Sequence, residues 1–420
     1  MKCFRHCFKL ALCILIPAAS FYAQKEAKKY VLSDQAAEKL VTRVLKTSPV
    51  IDGHNDLFIH FFACKECPQD FHTYRIDSTN TGHTDIPRWR KGGVGGQLLN
   101  IEKDRSLGLF LDAYDIVYRM QAAYPNDIKV VGTSSEMRAA MRSGRIAILP
   151  IMEGSIGLEN NMSLLRSFYQ LGLRSVTFAY KTNDLADGSD DKPKHNGVSA
   201  FGKEMIGEMN RLGIIVDISH VSAKAMSDVL ETTKAPIIFS HSNARALCDH
   251  NRNVPDDVIK KLVANRGMIM LTFVPEFTTN AFAKWYNAGD EYYFALQRKH
   301  AFDKVKVKAD MDIWEKENPR PVVTVSDIAD HFDHVKRLVG VDHIGIGGDF
   351  DGILYTIKGL DDVSGYPKLL TELAKRGWTE KDLRKITSEN FLRVFEEVEA
   401  KAAALQKTIQ PSSVKVVEKK

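Results

Sequence analysis

Short runs rich in Ile, Val, Leu and Phe recur along this chain, each closing in polar residues and followed by a stretch with helical spacing. Eight stand out: "SPVIDGHND" from Ser48, "GGVGGQLLNI" from Gly92, "RIAILPIMEG" from Arg145, "LRSVTFAYK" from Leu173, "LGIIVDISH" from Leu212, "APIIFSHS" from Ala235, "GMIMLTF" from Gly267 and "DHIGIGGDFDG" from Asp342. The segments between them carry helix punctuation. "SAFGKEMIGEMNRLG" stops at Gly213, "PDDVIKKLVANRG" opens on proline, and "SDIADHFDHVKRLVG" opens on Ser326 as a candidate cap. Strands alternating with helices predict a parallel sheet, and eight such units predict a closed (β/α)8 TIM-type barrel. A doubly wound open sheet is the alternative, but no Gly-rich dinucleotide fingerprint follows the first run. The long aromatic and charged segment 275–325 predicts a helical insertion after the seventh strand, either a lid or a dimer surface.

Composition leaves this picture standing. With 420 residues, 44% of them hydrophobic and 26% charged, the chain has material for one large core. The N-terminus adds an export signal: Lys2, Arg5 and Lys9 precede the apolar "LALCILIPAASF", and Ala23 before Gln24 offers a cleavage point. That run is short for a membrane span, so an uncleaved anchor is the lesser reading. A lipoprotein site at Cys13 is disfavoured by the bulky Leu12. The expected organisation is a signal peptide over 1–23, a single hydrolase-type barrel over 24–406 and a solvated tail over 407–420. Setting Lys2, Arg5 and Lys9 aside brings the formal charge of +5 down to +2. No basic stripe with interleaved aromatics appears, so a nucleic-acid partner is excluded. Export predicts a periplasmic or extracellular location. Three cysteines leave with the signal, and Cys64, Cys67 and Cys248 do not make a disulfide scaffold. "CKEC" at 64–67 has no second pair to complete a zinc site and reads as a local bridge or two loop thiols.

Chemistry in such a barrel gathers at the C-terminal ends of the strands. Those ends carry His54 and Asp56, Glu153, His220, His241 and Asp349. Period-two alternation places Glu153 on one face with Ala147, Leu149 and Ile151. It places His220 with Ile214, Val216 and Ile218, and His241 with Ile237 and Phe239. Asp349 follows Gly345 and Gly347, which would leave room beneath it. Asp217 falls on the opposite face, where it either orients a ligand histidine or rests in polar contacts outside the barrel. Six such groups brought together are expensive to desolvate unless a cation satisfies them. Three histidines with carboxylates favour zinc or a similar transition metal over magnesium or calcium. The set exceeds one tetrahedral site, so two ions bridged by Glu153 are expected.

"DGHND", "MEG", "DISH", "FSHSNAR", "RNVPDD" and "GIGGDFDG" together resemble the membrane dipeptidase (renal dipeptidase) family of zinc peptidases, over nearly the whole chain after the signal. The resemblance implies that His54, Asp56 and Glu153 bind one zinc and that Glu153, His220 and His241 bind the other. It implies that Asp349 is the catalytic acid/base and that Arg252 holds the substrate carboxylate. It also implies dipeptide substrates, including those with a C-terminal D-residue, and a possible homodimer. One departure is visible: where the family carries a histidine in the fourth strand, this chain has Tyr180, a potential hydrogen-bond donor to substrate. Lys181 beside it is read as a surface lysine, because H-x-D and Glu153 replace the H-x-H set that accompanies a bridging lysine. His343, at the start of the eighth run, is read as non-catalytic. The expected reaction is hydrolysis by a hydroxide bridging two metals. The alternatives are a related amidohydrolase such as an N-acyl-amino-acid deacylase, and an inactive binding protein on the same barrel.

Overall fold

A computed structural model describes residues 32–414 apart from 64–68, 72 and 102–106. The expected signal peptide and the Cys64/Cys67 pair lie outside the described residues. Nine parallel strands run β1 (Val50–Asn55), β2 (Val94–Asn100), β3 (Ile128–Val130), β4 (Ile146–Glu153), β5 (Ser175–Thr177), β6 (Ile215–Asp217), β7 (Ile238–Phe239), β8 (Met268–Leu271) and β9 (Ile344–Ile346). Their hydrogen-bonded order is β2-β1-β9-β8-β7-β6-β5-β4, and β2 also pairs with β4, so eight strands close into a (β/α)8 barrel. All eight runs of the sequence reading supply barrel strands. The ninth strand, β3, pairs with residues 146–148 of β4, while β5 takes residues 151–153. Three residues long and half-exposed, it lacks a readable apolar run.

Two apolar layers follow from the strand period. Ile51, Leu98, Ala147, Leu149, Ile151, Ile215, Ile238, Met268 and Met270 fill the barrel interior. Val50, Ile148, Val176, Val216, Phe239, Ile269 and Ile344 face outward into the helical layer. Two interior glycines are required by close approach to backbone rather than by backbone angle, and a third packs against a methionine. A Cβ on Gly347 would lie 2.0 Å from the Ser240 carbonyl oxygen, and one on Gly53 would lie 2.4 Å from the same atom. A Cβ on Gly345 would lie 2.5 Å from Met268 Cε. The space that the sequence reading left open beneath Asp349 is therefore taken up by methionine side chains and a carbonyl. The strand starts are closed by the segment 385–390: Asn390 Nδ2 donates to the Val341 and Ile344 carbonyls, each at 2.8 Å, and Ser388 pairs with Ser48.

Most helix signals act as read. Gly213 ends its helix at φ 87°, a left-handed position where glycine avoids the Cβ clash. Ser326 is not the cap of the helix Val325–Val339: Thr324 and Asp327 form a capping box there, satisfying one more free N–H than a lone serine would. The insertion is helical, with Pro275–Thr278, Asn280–Lys299 and Lys304–Glu317, held together by Trp285 against Trp314 at 5.7 Å between ring centres. Of the expected tail, Ser412 bonds through its N–H to Glu208 and through its carbonyl to Arg166.

His331 ties this insertion to the barrel. Its Nδ1 accepts from Ala244 N at 3.2 Å, so Nε2 carries the proton and donates to the Thr278 carbonyl at 2.9 Å. Burial drives its pKa down to about 4, against an opposing pull from the Thr278 carbonyl. Between pH 6.5 and 4 the unfolded chain gains a proton that the folded protein refuses. Stability therefore falls as pH falls across that window, by up to about 3 kcal/mol from this residue. We predict that His331→Gln shows a shallower loss of urea-unfolding midpoint between pH 7 and 4.5 than the wild type. Equal slopes would place the acid sensitivity elsewhere.

Candidate metal centre and substrate pocket

The barrel mouth brings together every residue read from the strand ends. Glu153 arrives as alternation expects, on the inner face that Ala147, Leu149 and Ile151 share at the end of the eight-residue β4. The three histidines arrive differently. Ile214, Val216, Ile218, Ile237 and Phe239 belong to the outer layer, and their inward neighbours are Ile215 and Ile238. Strict alternation would thus have sent His220 and His241 outward, contrary to the sequence reading. β6 and β7 stop at Asp217 and Phe239, and the chain leaves the strand path before each histidine. His220 takes φ 68° and Asp349 takes φ 62°, a left-handed conformation uncommon outside glycine and typical of functional sites. In β1 the pairing register shifts between Asp52 and Asn55, which re-aims His54.

Glu153 lies at the centre. Its Oε1 is 2.8 Å from His220 Nε2 and 3.2 Å from His241 Nε2. Its Oε2 turns the other way, 3.7 Å from His54 Nε2. His54 Nε2 is 3.3 Å from Asp56 Oδ2 and 4.0 Å from Asp349 Oδ1. Both ring nitrogens of His54 are buried without a hydrogen-bond partner.

Asp217 sets the tautomer of His241. It shares the inner face with Ile215, not the outer one that alternation had suggested. Its carboxylate accepts from Thr177 Oγ1 and Ser240 Oγ, each at 2.5 Å. With its proton given to Asp217, Ser240 Oγ accepts from His241 Nδ1 at 2.8 Å. The lone pair of His241 is then on Nε2, which faces Glu153 Oε1 and, at 2.8 Å, His220 Nε2. His241 Nε2 and Glu153 Oε1 are then two acceptors 3.2 Å apart, a pair that a cation between them would satisfy. The proton equilibria express the same demand: burial opposes a charge on His54, yet Glu153, Asp56 and Asp349 raise it to about 10. Burial works against the ionised form of Glu153, but His54 and His220 draw it well below the usual carboxylate range. Burial pushes Asp349 well above that range. The donors are imidazole and carboxylate with unpartnered nitrogens, and they fit a transition metal.

The same mouth opens into a cavity of about 500 Å³, lined by Asp56, Glu153, Tyr180, His220, Arg252 and Asp349 among others. Comparisons with known proteins identify the family. The family model described as membrane dipeptidase (peptidase family M19) matches residues 38–409. The dipeptidase verJ of Clonostachys rogersoniana is 33% identical over 400 residues, covering 91% of this chain and 92% of that protein. The solved structure of PvdM from Pseudomonas aeruginosa superposes at a TM-score of 0.75 with 23% identity, over 88% of this chain and 100% of the other. A metallopeptidase from Rhodobacter sphaeroides superposes at 0.69 with 24% identity, over 83% and 99%, and its structure holds a phosphinate mimic of the dipeptide L-Ala-D-Ala. The chain belongs to the membrane dipeptidase family. It is a metallo-dipeptidase, a hydrolase of peptide bonds.

In this dipeptidase Arg252 is 2% exposed and makes only long bonds, from Nη1 to Ser242 Oγ at 3.4 Å and from Nη2 to the His241 carbonyl at 3.3 Å. Its Nε has no hydrogen-bond partner, and its guanidinium lies 5.2 Å from the centre of the Phe277 ring. Tyr180 borders the cavity with its ring 4.4 Å from that of His220, and burial raises its phenol to about 12, which keeps it a neutral donor. Lys181 is exposed and does not line the cavity. His343 sits at the strand-start end with Nδ1 on the Gly267 carbonyl.

Two residues of the centre were not read from the sequence. Asn100 Nδ2 donates to Asp56 Oδ1 at 2.8 Å and to Glu153 Oε2 at 3.1 Å, holding both carboxylates. The signal was present: Asn100 is the polar residue at the end of β2, two residues after the inward Leu98. Asp52 is wholly buried and accepts from Gly348 N at 2.6 Å, Tyr366 Oη at 2.8 Å and Gln97 Nε2 at 2.9 Å, which anchors the turn that carries Asp349. We predict that Asn100→Ala lowers metal affinity by about ten- to a hundredfold, read by competition with a chelator, with little change in the unfolding midpoint of the metal-free protein. Unchanged affinity would show that the carboxylates hold their positions without it.

Proposed function

We propose that this dipeptidase is an exported enzyme that cleaves dipeptides, including those with a C-terminal D-residue, with two zinc ions shared through Glu153. The divergence of the Glu153 oxygens carries this reading: Oε1 faces His220 and His241, and Oε2 faces His54. His54, Asp56 and Glu153 would hold one ion, and Glu153, His220 and His241 the other. When bound, the pair supplies Lewis acidity toward the scissile carbonyl and activation of a water molecule.

The chain's own groups do the rest. Arg252, buried and without a carboxylate within ion-pair distance among the described residues, takes the C-terminal carboxylate of the substrate. That fixes the peptide bond over Glu153 and limits substrate length. Asp349 as a carboxylate receives the proton of the attacking water, and its burial favours the protonated form that then passes this proton to the leaving amine. Tyr180 donates from the cavity wall where the family's histidine would stand. The likeness to the Rhodobacter protein and its L-Ala-D-Ala mimic supports the substrate class. The charged and apolar N-terminus supports export, with Gln24 as the first residue of the mature chain. The exposed Phe294, Phe302, Val305 and Ile313 of the insertion support self-association through that surface.

The mature protein is expected to contain about two zinc ions per chain, and Asp349→Asn to keep that metal while losing about a thousandfold in dipeptide turnover. Metal analysis beside a steady-state assay on L-Ala-D-Ala checks both. A single ion per chain, or an active Asp349→Asn, defeats the mechanism; two ions without dipeptide turnover shifts the substrate to another amide. Mass spectrometry of exported protein is expected to begin at Gln24, and a full-length cytosolic product would end the export proposal.

A further inference from the structure

We propose that Glu276 makes the cavity selective for dipeptides whose C-terminal residue bears a cationic side chain, such as lysine. The inference deepens the dipeptide reading above and rests on it.

Glu276 lines the same cavity as Arg252 and Asp349. Its position is fixed by the short helix Pro275–Thr278, with the Phe277 N–H bonded to the Val274 carbonyl and the Cys248 thiol donating to the carbonyl of Glu276 itself. The next residue, Phe277, lies under the Arg252 guanidinium. Glu276 therefore lines the cavity next to the residue that packs on Arg252, the group that would hold the substrate's C-terminus.

Among the described residues this carboxylate has no hydrogen bond and no ion pair. Arg252 is not its partner: the guanidinium hydrogen-bonds to Ser242 and to the His241 carbonyl. Burial raises the Glu276 carboxyl to about 7, Arg252 opposing and Asp290 and Asp190 adding to the rise. A partly buried carboxylate that lines a substrate cavity without a hydrogen-bonded or ion-paired partner among the described residues is a site for a cation brought by the substrate.

The walls around it suit such a side chain. Tyr286, Tyr355, Ile353 and Leu354 line the same cavity, and the two tyrosines are near enough to feel the Glu276 charge. Aromatic and aliphatic walls accept the methylene stem of a lysine while its ammonium reaches a carboxylate. Tyr355 already shows this affinity on one face, where Arg320 of the chain stacks 4.7 Å from the ring centre. One ligand can then satisfy both groups: its carboxylate meets Arg252, and its side-chain ammonium meets Glu276.

The test uses Ala-Lys and Ala-norleucine, which share a stem length and differ in the terminal charge, each with an L- or D-residue at the C-terminal position. The zinc-loaded enzyme at pH 8 is expected to favour lysine over norleucine in kcat/KM by about ten- to a hundredfold in the preferred configuration. Glu276→Gln is expected to bring the ratio to about one, as loss of a single charge-assisted contact would. Glu276→Lys is expected to favour Ala-Glu over Ala-Gln. Calorimetry with reduced-amide analogues of Ala-Lys and Ala-norleucine, which cannot be hydrolysed, reads the same preference without turnover. Turnover with no charge preference in the wild type, or a preference kept in Glu276→Gln, overturns the inference and leaves dipeptide hydrolysis standing. Preferential binding of the lysine analogue that is lost in Glu276→Gln, without turnover of any dipeptide, upholds the cation site and removes the hydrolytic reading.

Discussion

Glu153 offers one carboxylate oxygen to His220 and His241 and the other to His54, and its contact with His241 sets two acceptors against each other. Ser240, itself donating to Asp217, accepts a hydrogen bond from His241 Nδ1–H and so leaves the imidazole lone pair toward Glu153. His54 has no hydrogen-bond partner on either nitrogen. In a water-poor setting such opposed acceptors raise the free energy of the fold by several kcal/mol unless positive charge lies between them. The mouth of this barrel is built for a bound cation, and the placement of its other polar groups follows from holding that arrangement open.

That arrangement is rigid because it grows out of the barrel interior. The Ser240 carbonyl enters the space between Gly53 and Gly347, so β1, β7 and β9 touch through backbone directly below the histidines. Asp52 fastens the turn after β9 by taking the Gly348 N–H, and Asn100 fastens Asp56 and Glu153 from β2. The left-handed backbone at His220 and Asp349 is sustained by these surroundings. A site assembled this way loses little on metal or substrate binding, since its groups are already placed.

The cavity above the centre is asymmetric in charge. Carboxylates and imidazoles gather around Glu153, and the same cavity is lined by a buried, under-bonded guanidinium and by a carboxylate, Glu276, that has no ion pair among the described residues. A zwitterionic ligand of short length matches such a pattern better than a long or neutral one. Arg252 and Glu276 differ in what they can recognise: the first meets a group that every dipeptide has, and the second meets one that only some carry.

Sequence alone determined the kinds of residue at the strand ends and the number of βα units, because chain-local periods of two and 3.6 mark strands and helices without help from the rest of the fold. Glu153 was also aimed correctly, since β4 is long enough for alternation to hold to its last residue. The short strands β6 and β7 end before their histidines, so the same rule inverted the inward and outward sets there and misplaced Asp217. Tertiary structure decided those directions, through left-handed backbone at His220 and a carbonyl wedged between two glycines. It alone brought Asn100 against Asp56 and Glu153, and Glu276 into the cavity with Arg252, because these contacts join residues far apart in the chain that carry no shared period. Chain-local patterns can specify which groups a segment presents; where those groups meet is fixed only when the barrel closes.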